Sequence, residues 1–359
     1  MCTSSCRKSP VAAATVAALL LLYLIPLSAL AEQNLGEQFR LVGRFVQPSP
    51  STAIFAWPGS TIEIEFTGTS LEVFFQDTGR NSMVVEVDGV TSRLDLSKEK
   101  TEYRVVAEAT HGKHLVRLIR RTEALFGPTV FTGATTDGVF SSPPKRTRRL
   151  FLIGDSISAG YGIEGKTSSC KFSADTENQY LTYGAVAARE FDADAITAAV
   201  SGKGLVRNYG GDTKNTMPEI YLRGSPAHPG NLPFPRSDVI VVHLGTNDFA
   251  NGGRPPDFVE RYIAFLAELR ENDPDAMIYA AIGPMLAGAD LEAATRAAKN
   301  AVEARLASKD TKVAFIRFEN IAGQAVLGCD WHPSIASHEH MASILSARIE
   351  ADLKWDRRQ

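Results

Sequence analysis

Between Phe39 and about Phe140 the apolar residues recur at every second position. Ile62, Ile64 and Phe66 alternate with polar neighbours, and so do Met83, Val85 and Val87. A period of two sends one face of each run to a core and the other toward water, which is the pattern of half-buried strands. Asp88-Gly89 between "MVVEV" and "SRLDL" predicts a hairpin turn, and "WPGS", "DTGRN" and "THGKH" punctuate the remaining runs. About a hundred residues of short strands with no helical run predict an antiparallel, jelly-roll-like β-sandwich.

Beyond the polar, proline-containing segment "TTDGVFSSPPKRTRR", Thr135 to Arg149, the period changes. Apolar runs without polar alternation, "LFLIG", "AITAAV", "DVIVVHLG", "AMIYAAIG" and "VAFIRF", are separated by amphipathic stretches near Glu177–Phe191, Pro256–Asn272, Asp290–Ser308 and Ser334–Trp355. Strands apolar on both sides and spaced by helices predict a parallel sheet covered on both faces. The expected organisation is a sandwich over residues 32–140, a linker over 141–149 and an α/β/α domain over 150–359.

The first 31 residues stand outside this pattern. Arg7 and Lys8 precede an apolar run from Val11 to Ile25, and Ser28-Ala29-Leu30-Ala31 supplies an Ala-x-Ala site. This predicts a secretory signal cleaved after Ala31, because Pro26 and Ser28 end the run before it reaches the ~20 residues of a membrane span. The mature chain then holds 36 Lys and Arg against 41 Asp and Glu, a net charge of −5. With no basic stripe, nothing points to a nucleic-acid or anionic-membrane partner. The mature protein is expected in the periplasm or outside the cell, where its two remaining cysteines, Cys170 and Cys329, are candidates for a disulfide.

In a parallel sheet functional groups gather beyond the carboxyl ends of the strands. Three loops in that position carry unusual polar residues: Gly154-Asp155-Ser156, Ser201-Gly202-Lys203-Gly204 and Gly245-Thr246-Asn247-Asp248, and "GCDWHPS", Gly328 to Ser334, precedes the last helix. Each has an ordinary alternative, since Gly-Asp-Ser makes turns, Asn caps helices and His-Pro sits in loops. Together they supply a nucleophile, a base, a carboxylate and oxyanion donors. His338 and His340 form a weaker metal candidate, because on a helix the two side chains point about 200° apart.

The order Ser156, Gly202, Asn247, His332 resembles the SGNH hydrolases, also called GDSL-type esterases. "GDSISAGYG", "TENQYLTYGAVAARE", "GTNDF", "CDWHPS", "WPGS" and "VDG" are similar to carbohydrate esterase family two, whose members place a small β-sandwich before the hydrolase domain. The resemblance implies Ser156 as nucleophile and His332 as general base, with the N–H groups of Ser156 and Gly202 and the Asn247 amide as the oxyanion hole. It requires no metal or organic cofactor. It also implies removal of acetyl groups from acetylated xylan, mannan or glucomannan and their fragments, with the primary C6 hydroxyl of hexopyranoses as the acetylated position.

The superfamily spaces its Asp and His by two residues, whereas only Trp331 separates Asp330 from His332 here. The imidazole is therefore expected to be oriented either by the Asp330 carboxylate, as in an extended loop, or by a backbone carbonyl such as that of Trp331. If Ser156 and His332 meet, Cys170 and Cys329 are brought near each other as well. Two other readings of the chain remain at this level, a lipase or thioesterase acting on longer acyl esters and a non-catalytic carbohydrate-binding protein.

Overall fold

A computed structural model describes residues 1–3, 34–321 and 326–358. Apart from its first three residues, the expected signal lies outside them. Among the described residues no helix is long and apolar enough to cross a membrane.

The N-terminal strands form two antiparallel sheets. One runs Arg40–Val42, Thr61–Gly68, Gly112–Arg120, Ser82–Val87 and Val90–Asp95, with Val139–Ser141 also pairing on Thr61–Gly68. The other runs Val46–Ser49, Thr52–Phe55, Thr129–Thr136, Leu71–Gln76 and Glu102–Val106. The alternating residues Ile62, Ile64 and Phe66 meet Phe55, Phe75 and Phe131 of the opposite sheet in one buried core. The hairpin expected at Asp88-Gly89 joins strands paired from Ser82↔Asp95 to Val87↔Val90. A four-residue helix, Leu35–Gln38, precedes the first strand, and a short 3-10 turn, Ala124–Phe126, separates the last two long strands.

The second half holds a five-stranded parallel sheet in the order Ala193–Ala199, Arg148–Gly154, Val239–His243, Met277–Ile282, Val313–Arg317. Its strands are buried on both faces, as their continuous apolar runs require. Leu150 and Leu152 pack toward Tyr183, Met341, Leu345 and Ile349, while Phe151 and Ile153 pack toward the opposite layer with Tyr262, Phe265, Ala294 and Ala298. Burial of a Leu, Ile or Met side chain contributes about 1.5–3 kcal/mol.

Three of the predicted helices appear, as Phe258–Asn272, Gly288–Ala307 and Ile335–Leu353. The stretch expected from Glu177 becomes an α-helix only at Tyr183–Glu190, because Asn178 first caps a 3-10 turn at Gln179–Leu181. Counted along the chain, the strands lie in the order 2-1-3-4-5. The direction of winding therefore reverses between Arg148–Gly154 and Val239–His243, and a crevice opens at such a reversal.

Candidate active site

Ser156 stands where strand Arg148–Gly154 ends at that reversal. A side chain at Gly154 would put its Cβ 2.2 Å from Ser158 Oγ, so only glycine lets the chain turn this tightly. Asp155 caps the single helical turn Ser156–Ala159 by accepting the Ile157 N–H at 3.0 Å. Its carboxyl is fully buried, and that burial pushes its pKa up to about 7 against the opposing Ile157 N–H. Ser156 is buried except for a small part of its surface.

His332 reaches Ser156 from the far end of the chain, its Nε2 lying 2.9 Å from Ser156 Oγ. Its Nδ1 lies 3.0 Å from the main-chain carbonyl oxygen of Asp330. A carbonyl only accepts, so Nδ1 carries the proton and Nε2 is left to accept the serine O–H. Burial lowers the imidazole pKa to about 4, against the Asp330 carbonyl and charge that raise it. The ring is neutral at pH 7, the state a general base needs.

The expectation for Asp330 requires correction. Its carboxylate does not hold the imidazole; it accepts the Phe172 N–H at 3.1 Å, the Tyr161 hydroxyl at 3.2 Å and Lys171 Nζ at 3.3 Å. The loop is not extended, because Asp330 and Trp331 adopt φ of 48° and 64°. That left-handed pair turns the Asp330 carbonyl, not the Trp331 carbonyl, toward Nδ1.

The histidine loop is fastened to the loop that follows the nucleophile. Cys170 and Cys329 form a disulfide with Cα atoms 4.6 Å apart. Asp330 N–H donates to the Cys170 carbonyl at 2.9 Å, Trp331 N–H to Ser168 at 3.2 Å and Cys329 N–H to Gly162 at 2.9 Å. Tyr161 completes the joint, its ring centroid 4.1 Å from that of His332 and 3.5 Å from that of Phe172. Neither Tyr161 nor Phe172 is singled out by the sequence, although Tyr161 stands between two glycines just after the nucleophile.

Gly202 follows strand Ala193–Ala199 with φ +78°, a conformation that favours glycine. Its carbonyl accepts the Tyr209 N–H at 2.8 Å, while no partner within the described residues takes the N–H of Gly202 or of Ser156. Asn247 lies in the turn Thr246–Phe249 after strand Val239–His243. Its amide donates to the Lys203 carbonyl at 2.8 Å and to Asp155 Oδ2 at 3.2 Å, tying the three strand-end loops together. Asp248, buried beside it, accepts N–H groups of Leu205, Val206 and Arg207 at 2.7–2.9 Å and holds the Gly202 loop from below. The structure thus puts His332 in hydrogen-bond contact with Ser156 and ties the Gly202 and Asn247 loops to each other and to the Ser156 turn.

His338 and His340 stay apart from it. His338 is fully buried, accepts the Tyr183 N–H at 3.2 Å on Nδ1 and stacks against the Tyr183 ring, whereas His340 is half-buried. Among the described residues no cluster of three His, Cys, Asp or Glu is arranged to hold a metal ion.

Residues 41–144 match the family described as Carbohydrate esterase 2 N-terminal, and residues 152–340 match the GDSL-like Lipase/Acylhydrolase family. A solved family two carbohydrate esterase from Clostridium thermocellum, in complex with cellohexaose, superposes with a TM-score of 0.85 at 35% identity, over 88% of this chain and 99% of that one. The chain belongs to carbohydrate esterase family two. Among its curated relatives, this family two esterase is 30% identical to an acetylxylan esterase / glucomannan deacetylase of Cellvibrio japonicus, over 86% of this chain and 89% of that protein. It is 34% identical to the cellulase/esterase CelE of Acetivibrio thermocellus over 87% of its own length, but spans only 39% of that protein. The family expected from those sequence segments is the one found.

Proposed function

We propose that this chain is a carbohydrate O-acetyl esterase. Its substrates are acetylated plant polysaccharides or oligosaccharides such as xylan, mannan and glucomannan. The observation that carries this reading is the 2.9 Å contact between His332 Nε2 and Ser156 Oγ, with a neutral imidazole already presenting its lone pair.

In the forward step Ser156 Oγ attacks the acetyl carbonyl while its proton passes to Nε2. The negative charge that develops on the carbonyl oxygen is met by the N–H groups of Ser156 and Gly202, and by the Asn247 amide once it turns one of its two protons, both donated to Lys203 and Asp155 in the resting site, toward that oxygen. The imidazolium, steadied by the Asp330 carbonyl, returns the proton to the departing sugar hydroxyl and leaves acetyl-Ser156. Water, deprotonated by the same nitrogen, then releases acetate. Side chains and main chain supply every group the reaction asks for.

Two exposed aromatics support a sugar as the alcohol half of the ester. Trp331, 64% exposed, precedes His332, and Tyr209, 61% exposed, bonds through its backbone to Gly202. Large aromatic faces left in water on the His332 and Gly202 loops suit the apolar faces of pyranose rings. The disulfide and the basic-apolar leader support action after export.

Release of acetate from acetylated glucomannan and xylan, measured beside hydrolysis of p-nitrophenyl acetate and p-nitrophenyl palmitate, tests the reading. Turnover of the acetyl substrates alone is expected. Comparable turnover of the palmitate would reassign the chain to long acyl esters, and no turnover of any of them would leave a binding protein.

A further inference from the structure

The sandwich reaches into the catalytic half at one corner, just after strand Gly112–Arg120. There Glu123, fully buried, extends its carboxylate to Ser201, accepting the backbone N–H at 2.8 Å and also the Ser201 hydroxyl. Ser201 is the residue immediately before Gly202. The corner itself is rigid, because the buried Arg120 guanidinium donates to the carbonyls of Thr122, Glu123 and Gly127 and to the side chains of Asn81 and Thr129, at 2.6–3.1 Å.

The same corner also touches the nucleophile turn. Glu123 N–H donates to buried Glu177 Oε2 at 3.0 Å, Gln179 N–H donates to the Arg121 carbonyl at 3.0 Å, and Asn178 N–H donates to Gly160 at 3.2 Å, one residue beyond the Ser156–Ala159 turn. Burial pushes both carboxyls up, that of Glu177 well above the ordinary range.

The two ends of the oxyanion hole, Ser156 N–H and Gly202 N–H, therefore take their separation from a third body. We infer that Glu123 of the sandwich is a positioning residue for the esterase reaction, holding the Ser201-Gly202 peptide so that the Gly202 N–H points at the developing oxyanion. This rests on the oxyanion role proposed above for Gly202. A carboxylate gripping both the N–H and the hydroxyl of one residue fixes the direction of the next peptide, and a donor that acts only in the transition state affects turnover more than binding. The sandwich thereby becomes part of the catalytic apparatus as well as a neighbour of it.

Kinetics on p-nitrophenyl acetate and on an acetylated oligosaccharide test this with three variants. Glu123→Ala is expected to lower kcat about 10- to 100-fold, short of the 10²–10³ for outright loss of an oxyanion donor, with KM within about threefold. Glu123→Gln, which still accepts the Ser201 N–H through its amide oxygen, is expected to recover most of that loss. Glu123→Asp keeps the carboxyl group but falls one methylene short of Ser201; it is expected to lose kcat at an unchanged melting temperature, which covers the case of an Ala variant that does not fold. Inhibition by a boronic acid, whose tetrahedral adduct occupies the oxyanion hole, is expected to weaken in parallel with kcat/KM. Wild-type kcat in Glu123→Asp, or a loss confined to KM, would overturn the inference. The functional reading is tested separately, by wild-type turnover and its loss in Ser156→Ala.

Discussion

The proposed nucleophile and the proposed base are held in place by opposite means. Ser156, Gly202 and Asn247 sit where three adjacent strands of one sheet end, and hydrogen bonds accepted by Asp155, Asp248 and the Lys203 carbonyl bind their loops to each other. His332 hangs on a loop outside the sheet. Its position comes from a disulfide to Cys170, two left-handed residues and a stack on Tyr161. Strand ends and buried carboxyl contacts, those of Glu123 and Asp248 among them, align the proposed oxyanion side, whereas the base depends on a covalent staple and local backbone geometry. Damage to the two sides should therefore look different.

The largest effects come from removing the reacting groups themselves. Ser156→Ala and His332→Ala are each expected to lower kcat by up to about 10⁶ with little change in melting temperature, and the double variant to be no worse than either. Additive losses in the double variant would mean that the two do not act as one unit.

Next in size is the staple, which belongs to the histidine side only. Replacing Cys170 and Cys329 together by Ser opens a loop with a sequence separation of 159 residues. It is expected to cost about 2–4 kcal/mol of stability in urea unfolding and roughly tenfold in kcat/KM. A variant with lowered stability and full activity would show that the hydrogen bonds from Asp330, Trp331 and Cys329 suffice to seat the base.

Acid reads the base without mutation. Because burial lowers the His332 pKa from its ordinary 6.5 to about 4, kcat/KM is expected to hold through pH 6.5 and to fall only as pH drops through about 4. The sign for stability follows, because between pH 6.5 and 4 the unfolded chain binds a proton that the folded chain refuses. His332 thus favours folding above pH 6.5, and this contribution is lost as pH falls toward 4. An acid limb centred near 6.5 would place the working imidazole in water.

The smallest effect is expected at Asp330. Asp330→Asn keeps the main-chain carbonyl that holds Nδ1 and weakens only the contacts to Phe172, Tyr161 and Lys171. About one hydrogen bond's worth, a roughly fivefold fall in kcat, is expected from steady-state kinetics. A loss equal to that of His332→Ala would return the carboxylate to the mechanism.

What could be read from the sequence divides along the same line. The sheet and its three loop ends were legible because apolar runs mark buried strands and polar residues after them stand out. Asp330 was not, since a left-handed φ at a non-glycine residue leaves no trace in composition and turns the carbonyl where an extended loop would have sent the side chain. Glu123 was hidden for another reason: it lies 78 residues from Ser201, in a half that reads as a separate sandwich, and only tertiary packing brings the two together. The late start of helix Tyr183–Glu190 is a smaller case, in which Asn178 captured the chain for a tighter turn first.

That the imidazole leans on a peptide carbonyl bears on how the site can drift over generations. A side-chain partner disappears with a single codon change, but every amino acid carries the same carbonyl, so no substitution at position 330 deletes it. What selection can act on there is the backbone angle. At a φ of 48° Asp, Asn and Gly are favoured over other residues. Position 330 should therefore vary most freely among those three without loss of the base, and resist the β-branched residues that an extended loop would accept.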